Sequence, residues 1–343
     1  MRGRWSRWER RWSPSDGLVL DATDTTRELL QRYRLTARPY SATALQHFAA
    51  CPYKFALYSI YRLRARDEIT ELERMDALTR GSLFHAVQFY LLSRLKSQDM
   101  LPITAANHSA SSAIADQVLQ EIADRYREQL ASAIPRIWDS EVEEMRGDLR
   151  GWIRQVAFAP DAPEWKPRWF ELAFGLPPDP ERDPESSATP VDLPAGMHLR
   201  GSIDMIEEKG EHIRITDHKT GRARSEPLQF VGKGEVLQPL LYAEAAEVLL
   251  RKIPDQSRLF YCTETGGYRL VEIPINEESR GAIQRVVNLI DQSISRGFLP
   301  AAPRNNACQY CDYHVVCGPY EESRTQRKAE DALLSVKELR QIL

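Results

Sequence analysis

Residues 197–221 read MHLRGSIDMIEEKGEHIRITDHKTG, and this stretch decides the fold. Met197 to Glu208 is a strand-like run, Lys209-Gly210 supplies a turn, and Ile213 and Ile215 alternate with polar residues as in a half-buried strand. Asp217 and Lys219 are two apart, so in a strand both side chains point to one face. Asp204 ends the apolar part of the first strand, and a tight hairpin lays it close to Asp217. Two carboxylates held together repel unless a cation lies between them. Hard oxygen ligands of this kind, few in number, suit Mg²⁺ or Mn²⁺. An adjacent ammonium would orient an attacking water and balance the charge that develops on a phosphate. That is the minimal equipment for metal-assisted phosphodiester hydrolysis. Taken alone, a D-x-K in a strand is ordinarily solvated surface charge.

The surroundings extend the pattern. PRWFELAFG (167–175) reads as a preceding strand, and the Pro-rich, polar segment LPPDPERDPESSATPVDLPAG (176–196) as a loop or mobile insertion. Downstream come a helix (LQPLLYAEAAEVLLRK, 237–252), strands at RLFYCTE and YRLVEIPI, and the helix EESRGAIQRVVNLIDQSISRG (277–297). Upstream, residues 1–40 form a polar lead-in with one helical stretch around Thr25–Tyr33. Ser41 is placed to cap the helix SATALQHFAACPYKFALYSI. Gly81 to about Ser97 makes a second, strongly apolar helix, and 109–160 continue as amphipathic helices. Helices, three strands, a helix, two strands and a helix give an α/β class. No internal repeat or phosphate-binding P-loop appears, because GKGEV at Gly232 lacks the GK[ST] ending.

Composition bounds this reading without deciding it. The 343 residues are 42% hydrophobic and 28% charged with a net charge of −3, a globular balance that allows two domains or one large one with insertions. No apolar run approaches the length of a membrane helix, so a membrane-spanning helix is not expected in this sequence. The opening MRGRWSRWERRW lacks an apolar h-region, so a secretory signal is not expected and the cytoplasm is. Near-neutral charge leaves room for a local basic groove. Arg2, Arg4, Trp5, Arg7, Trp8, Arg10, Arg11 and Trp12 have the composition for phosphate contacts and base stacking. The plainer expectation is the end of a preceding domain, or a tail that docks on a partner.

The five cysteines are unevenly placed. Cys308, Cys311 and Cys317 crowd together in ACQYCDYHVVCGP, Cys51 lies far upstream in AACPYKF, and Cys262 stands in an apolar, strand-like run. In a reducing compartment, metal ligation is favoured over disulfides. The C-x2-C turn offers two thiolates to one centre, Cys317 a third and Cys51 a fourth; zinc or an iron–sulfur cluster would suit them. Such a site would staple the two ends of the chain together. Cys262 reads as a small buried hydrophobe. His85, in GSLFHAVQ, offers an imidazole for a metal, or a packed core histidine. Gln238 and Tyr242 are four apart on one helix face, a spacing that packing alone also explains.

The ordered set SATALQHFAACPYKF, GSLFHA, LRGSIDMIEE, ITDHKTG, LQPLLYA and CQYCDYHVVC resembles the RecB-like nucleases of the PD-(D/E)XK superfamily. It looks most like the C-terminal nuclease domain of AddB-type helicase–nuclease subunits, and is similar to the iron–sulfur nucleases of CRISPR adaptation. The resemblance implies a restriction-endonuclease-like core, a mixed central sheet flanked by helices, over residues 41–320 with a helical insertion at about 95–160. An N-terminal helical region, an iron–sulfur clasp and a C-terminal helix at 321–343 complete the expected architecture. It implies that His85, Asp204 and Asp217 ligate Mg²⁺ or Mn²⁺, that Lys219 is the catalytic lysine, and that Gln238 and Tyr242 support the active site and DNA contacts. Glu171 resembles an additional acidic position. Cys51, Cys308, Cys311 and Cys317 match a 4Fe-4S pattern, which favours that cluster over zinc. His218, between Asp217 and Lys219, stands where an aromatic is frequent, and its side chain should face away from the metal. Pro239 makes Gln238 a candidate helix cap and weakens the shared face with Tyr242. The implied activity is a DNA exonuclease on single-stranded ends in break repair and recombination, working beside an ATP-driven helicase. The competing reading is a catalytically silent iron–sulfur DNA-binding or scaffold module.

Overall fold

In a computed structural model, which describes residues 5–19, 24–64, 74–130, 134–223 and 229–343, the quoted stretch lies at the centre of a five-stranded sheet. The strands are β1 (Lys166–Phe174), β2 (Gly201–Lys209), β3 (His212–Lys219), β4 (Ile253–Tyr261) and β5 (Leu270–Pro274). They lie in chain order across the sheet. β1–β2, β2–β3 and β4–β5 are antiparallel, and β3–β4 is parallel. The β2–β3 turn is tight because Gly210 takes a positive φ of 63°, which costs glycine little. A parallel pair needs a crossover, and helix α5 (Gln238–Leu250) supplies it between β3 and β4.

Helices cover both faces. On one side lie α1 (Ala42–Ala50), α5 and α6 (Glu277–Arg296), sharing a core that includes Leu45, Phe48, Ile206, Ile215, Leu241 and Ile290. On the other lie α2 (Ala77–Ser97), α3 (His108–Leu130) and α4 (Pro135–Ala157), packed with Phe170, Met205 and Phe260. Local chemistry sets the ends: Asp76 caps α2 by accepting from Thr79 N at 2.7 Å, and Asn276 opens α6 with a capping box. The second face also buries a charged cluster in which Arg214 pairs bidentately with Glu207 at 2.7 and 2.9 Å and Arg258 joins them. Such a set needs every partner present, since losing one leaves a buried charge uncompensated. Among the described residues no helix is long and apolar enough to cross a membrane.

Four differences from the sequence reading have physical causes. The helix expected from Ser41 onward breaks at Cys51, which is extended (φ −165°, ψ 119°) because Pro52 disfavours the helical region before it. The expected 321–343 helix is instead two short helices, Glu321–Thr325 and Leu334–Leu339, the second preceded directly by a 3-10 turn at Asp331–Leu333. The Pro-rich segment is not a mobile insertion. Its backbone and side chains are bonded along the outer edge of β1, with Ser187 N on Ala173 O at 2.8 Å, Ala173 N on Ser186 Oγ at 2.9 Å and Phe170 N on Asp183 Oδ2 at 3.1 Å. An edge strand is covered in this way. The Arg/Trp stretch, from Trp5 on, packs against this chain's own 317–329. Arg7 donates to Cys317 O and Glu321, Trp12 Nε1 to Ala329 O, and Lys328 Nζ to Asp16. Arg2 and Arg4 lie outside the described residues.

Candidate active site

The site forms where β1, β2 and β3 run side by side. Met205 pairs with Thr216, so Asp204 and Asp217 come next in that register. Phe170 pairs with Met205 and Leu172 with Ile203, which sets Glu171 across from Asp204. Three carboxylates thus stand in a row on adjacent strands, where opposite residues are close neighbours. Glu171 is also a backbone irregularity, with φ at 50°. Trp169, Leu172 and Phe174 pack in one core while Phe170 packs in the other, so the alternation of β1 flips at Glu171. A non-glycine residue in this region is strained, and here the strain turns an acid into the cleft and its carbonyl toward Asp183 N at 3.2 Å.

Helix α2 brings His85 over the row. His85 Nδ1 lies 3.5 Å from Glu171 Oε1 and 3.7 Å from Asp204 Oδ2. The three side chains present one ligand atom each within 4.8 Å of one another, a set that could hold a metal ion. Neighbouring groups aim the acids: Ser202 Oγ donates to Glu171 Oε2 at 2.8 Å, and the His218 backbone N–H to Asp204 Oδ2 at 2.6 Å. Burial, with Asp217 and Glu171 adding repulsion, pushes the Asp204 carboxyl up to about 7 against the pull of His85. Burial disfavours the His85 imidazolium, but Asp204 and Glu171 outweigh it and raise it to about 9. This is the electrostatic pattern of crowded acids that a cation would relieve.

Asp217 stands beside this trio and reaches Lys219. It is 3% exposed, and its Oδ2 lies 2.6 Å from Lys219 Nζ. Burial pulls the Lys219 ammonium down, yet Asp217 and Asp204 hold it above its ordinary value. Lys219 Nζ also donates to Gln238 Oε1 at 3.1 Å, and a side-chain hydrogen bond links Gln238 with Tyr242. Helix α5 begins at Gln238 with Leu237 as its cap and Pro239 in the first turn, so both side chains face the site despite the proline. Gly201 permits this, since a Cβ there would meet Tyr242 Oη at 2.8 Å. Burial raises the Tyr242 phenol well above its ordinary value, and Asp217 adds to it. His218 lies on the other side of β3, buried among Trp152 and Phe260. Burial first, then the His85 charge, keeps its imidazole well below its ordinary value. Ser202, Thr220 and the 179–182 segment, which sequence reading missed, line the same cleft of about 550 Å³. Only Ser202 carried a signal, two residues before Asp204 in the strand.

The four clustered cysteines come together as well. Cys51, Cys308, Cys311 and Cys317 line one small cavity with Pro303, Ala307 and Tyr313. None is in a disulfide. Burial, reinforced by the neighbouring thiols, lifts Cys308 to about 11 and Cys317 to about 12. Thiols so placed ionise when a thiophilic metal centre compensates them, so the donor set fits one. Arg304 N on Ala50 O at 2.9 Å, and Tyr313 Oη on Leu63 O at 2.9 Å, fasten this C-terminal loop to the α1 region. Cys262 is fully buried and accepts from Gln88 Nε2 at 3.7 Å, a core residue as expected.

No curated protein sequence matches the chain. The family model of the PD-(D/E)XK nuclease superfamily matches residues 39–318, a span holding all five sheet strands, the acidic row, Lys219 and the four clustered cysteines. Members of that superfamily are generally nucleases that use divalent metals such as Mg²⁺. With a five-stranded mixed sheet flanked by helices and the family model matched over most of its length, the chain belongs to the PD-(D/E)XK nuclease superfamily.

Proposed function

We propose that this chain is a divalent-metal-dependent deoxyribonuclease, acting as an exonuclease on single-stranded DNA ends in break repair or recombination. The observation that carries the reading is the Lys219 ammonium, held by Asp217 and Gln238 next to the His85–Glu171–Asp204 trio. His85, Glu171, Asp204 and Asp217 would hold Mg²⁺ or Mn²⁺, which when bound supplies Lewis-acid polarisation of a phosphate and an acidic water. The chain's own residues do the rest. Lys219 stays protonated, orients the attacking water and balances the negative charge on the phosphate. Asp217 and Gln238 keep its ammonium in place, and Tyr242 keeps Gln238 in place. Ser202 fixes the Glu171 carboxylate and the His218 backbone N–H fixes that of Asp204. Phosphate contacts from Lys and Arg make binding salt-dependent.

Cys51, Cys308, Cys311 and Cys317 would hold a 4Fe-4S cluster that joins residues 41–320 into one nuclease domain. Four unpaired thiols suit the reducing cytoplasm. The resemblance to AddB-type subunits, together with the missing P-loop, favours a helicase partner that supplies unwound strands. The deciding experiment is digestion of end-labelled single- and double-stranded DNA with Mg²⁺ or Mn²⁺, beside Asp217→Ala. Metal-dependent loss of label that the variant abolishes supports the reading. Wild-type protein that binds single strands and leaves them intact would instead make it a silent iron–sulfur module.

A further inference from the structure

Helix α2 forms one wall of the cleft, and its lining residues Leu78, Ser82, His85 and Phe89 recur at three- and four-residue spacing. The cleft therefore runs along the helix axis with His85 near its middle. Toward the start of the helix the cleft is lined by Leu78 and Gly81, and Thr220 packs beside Gly81, whose added Cβ would meet Thr220 Oγ1 at 3.4 Å. At the other end, beyond Phe89, stand Tyr126 and the Pro-rich segment, which sends Asp179, Glu181 and Arg182 into the same cavity. This segment is anchored on both sides. Asp183, Ser186 and Ser187 bind it to β1, and Glu181 meets Arg125 at 3.3 Å, which itself donates to Tyr90 Oη at 3.2 Å. Pro177, Pro178, Pro180 and Pro184 stiffen it. Within residues 176–187 four acids, Asp179, Glu181, Asp183 and Glu185, outnumber the one base, Arg182, which is tied to Pro177 O. Asp183 is engaged on β1 and Glu181 shares Arg125, so the stretch is net negative with Asp179 and Glu181 as its acids in the cavity.

We propose that residues 176–187 are an end stop: a stiff, acidic wall that closes the cleft beyond the scissile position and confines cleavage to strand termini. The inference deepens the exonuclease reading and rests on it. A polyphosphate chain running on past His85 would meet fixed acids at short range, whereas a strand that ends there would not. Substrate class is thereby set by topology: a strand with a free end is cut, and a closed strand is not.

The test compares an end-labelled linear oligonucleotide with a covalently closed single-stranded circle of the same sequence, in Mg²⁺ or Mn²⁺. Wild-type protein is expected to degrade the linear strand and spare the circle. The double variant Asp179→Asn/Glu181→Gln should open circles about tenfold faster than wild type, with the gain shrinking at high salt as expected for screened repulsion. A second variant, with Pro177–Glu181 replaced by two glycines, keeps the Asp183, Ser186 and Ser187 anchors and should open circles faster still. Circles cut by wild type as fast as linear strands would overturn the proposal. So would circles left closed by a shortened variant that retains wild-type activity on linear strands. Where the shortened variant fails to fold, the double variant decides alone. Wild-type protein inert on both substrates would instead sink the nuclease reading, and the end stop with it.

Discussion

Glu171 and Asp204 face one another across β1 and β2, and both approach the same atom, His85 Nδ1, at 3.5 and 3.7 Å. The His85 imidazolium compensates these carboxylates only in part, since burial and the neighbouring acids still hold Asp204 above its ordinary value, and a bound divalent ion would compensate them further. Mg²⁺ or Mn²⁺ should therefore raise the melting temperature, by an amount corresponding to about 2.7 kcal/mol when the ion stands at 100 times its dissociation constant. Asp204→Asn and Glu171→Gln should abolish that rise while leaving the metal-free protein at least as stable as wild type. Thermal melts with and without the ion check this; an unchanged metal response in both variants would place the ion elsewhere.

Lys219 touches only Asp217 and Gln238 among the site residues named, so its loss should be felt in the chemical step more than in binding. Lys219→Ala is expected to lower kcat by about 10²–10³-fold, the range for removing one group that stabilises developing charge. Gln238→Ala, which frees the lysine without removing it, should cost about tenfold. Affinity for single-stranded DNA, measured by anisotropy in Ca²⁺, should hold within a few-fold of wild type. A fall in affinity matching the fall in kcat/KM would make Lys219 a DNA-binding group rather than a catalytic one.

The β2–β3 hairpin, the Asp217-x-Lys219 pair and the clustered cysteines were legible because each rests on local spacing: a turn glycine, a period of two and a C-x2-C turn. Glu171 was harder. Its importance depends on a backbone flip at φ 50° that no pattern within β1 announces, with its carbonyl accepting from Asp183 N and its carboxylate from Ser202 Oγ. The order of the Pro-rich segment was hidden for a related reason, since its partners are edge atoms of β1 that composition does not announce. The N-terminal Arg/Trp stretch likewise finds its partners some 310 positions away, Arg7 at Cys317 O. Pairing at that separation follows from tertiary closure, which local propensity does not encode.

The cysteine cavity makes a prediction independent of DNA. Protein purified without oxygen should be brown and carry iron, and Cys311→Ser should lose both colour and iron together with thermal stability. The loop that bears Cys308 to Cys317 reaches the α1 region through Tyr313 Oη and Arg304 N, so losing the centre should loosen both ends of the chain. Limited proteolysis would then cut near residues 304–320 faster than in wild type. Colourless, zinc-bearing protein would assign the thiols to zinc instead.

Glu244 offers a prediction about pH. It is 3% exposed on α5, accepts a 3.3 Å bond from Ala195 N, and burial raises its carboxyl above the usual value, with Ala195 N and Arg280 opposing. A carboxyl raised on folding prefers its proton in the native state. Its contribution is fully present below the unfolded value of 4.5 and is lost as pH climbs through the folded one, where the native protein must hold a buried charge. Glu244→Gln preserves an acceptor for Ala195 N and removes that charge. The variant should melt about 1–3 °C above wild type at pH 7, with the difference closing toward pH 4.5. Melting curves across that interval check the sign. A variant less stable at pH 7 would show that the ionised carboxylate, through Arg280, contributes more than its burial costs.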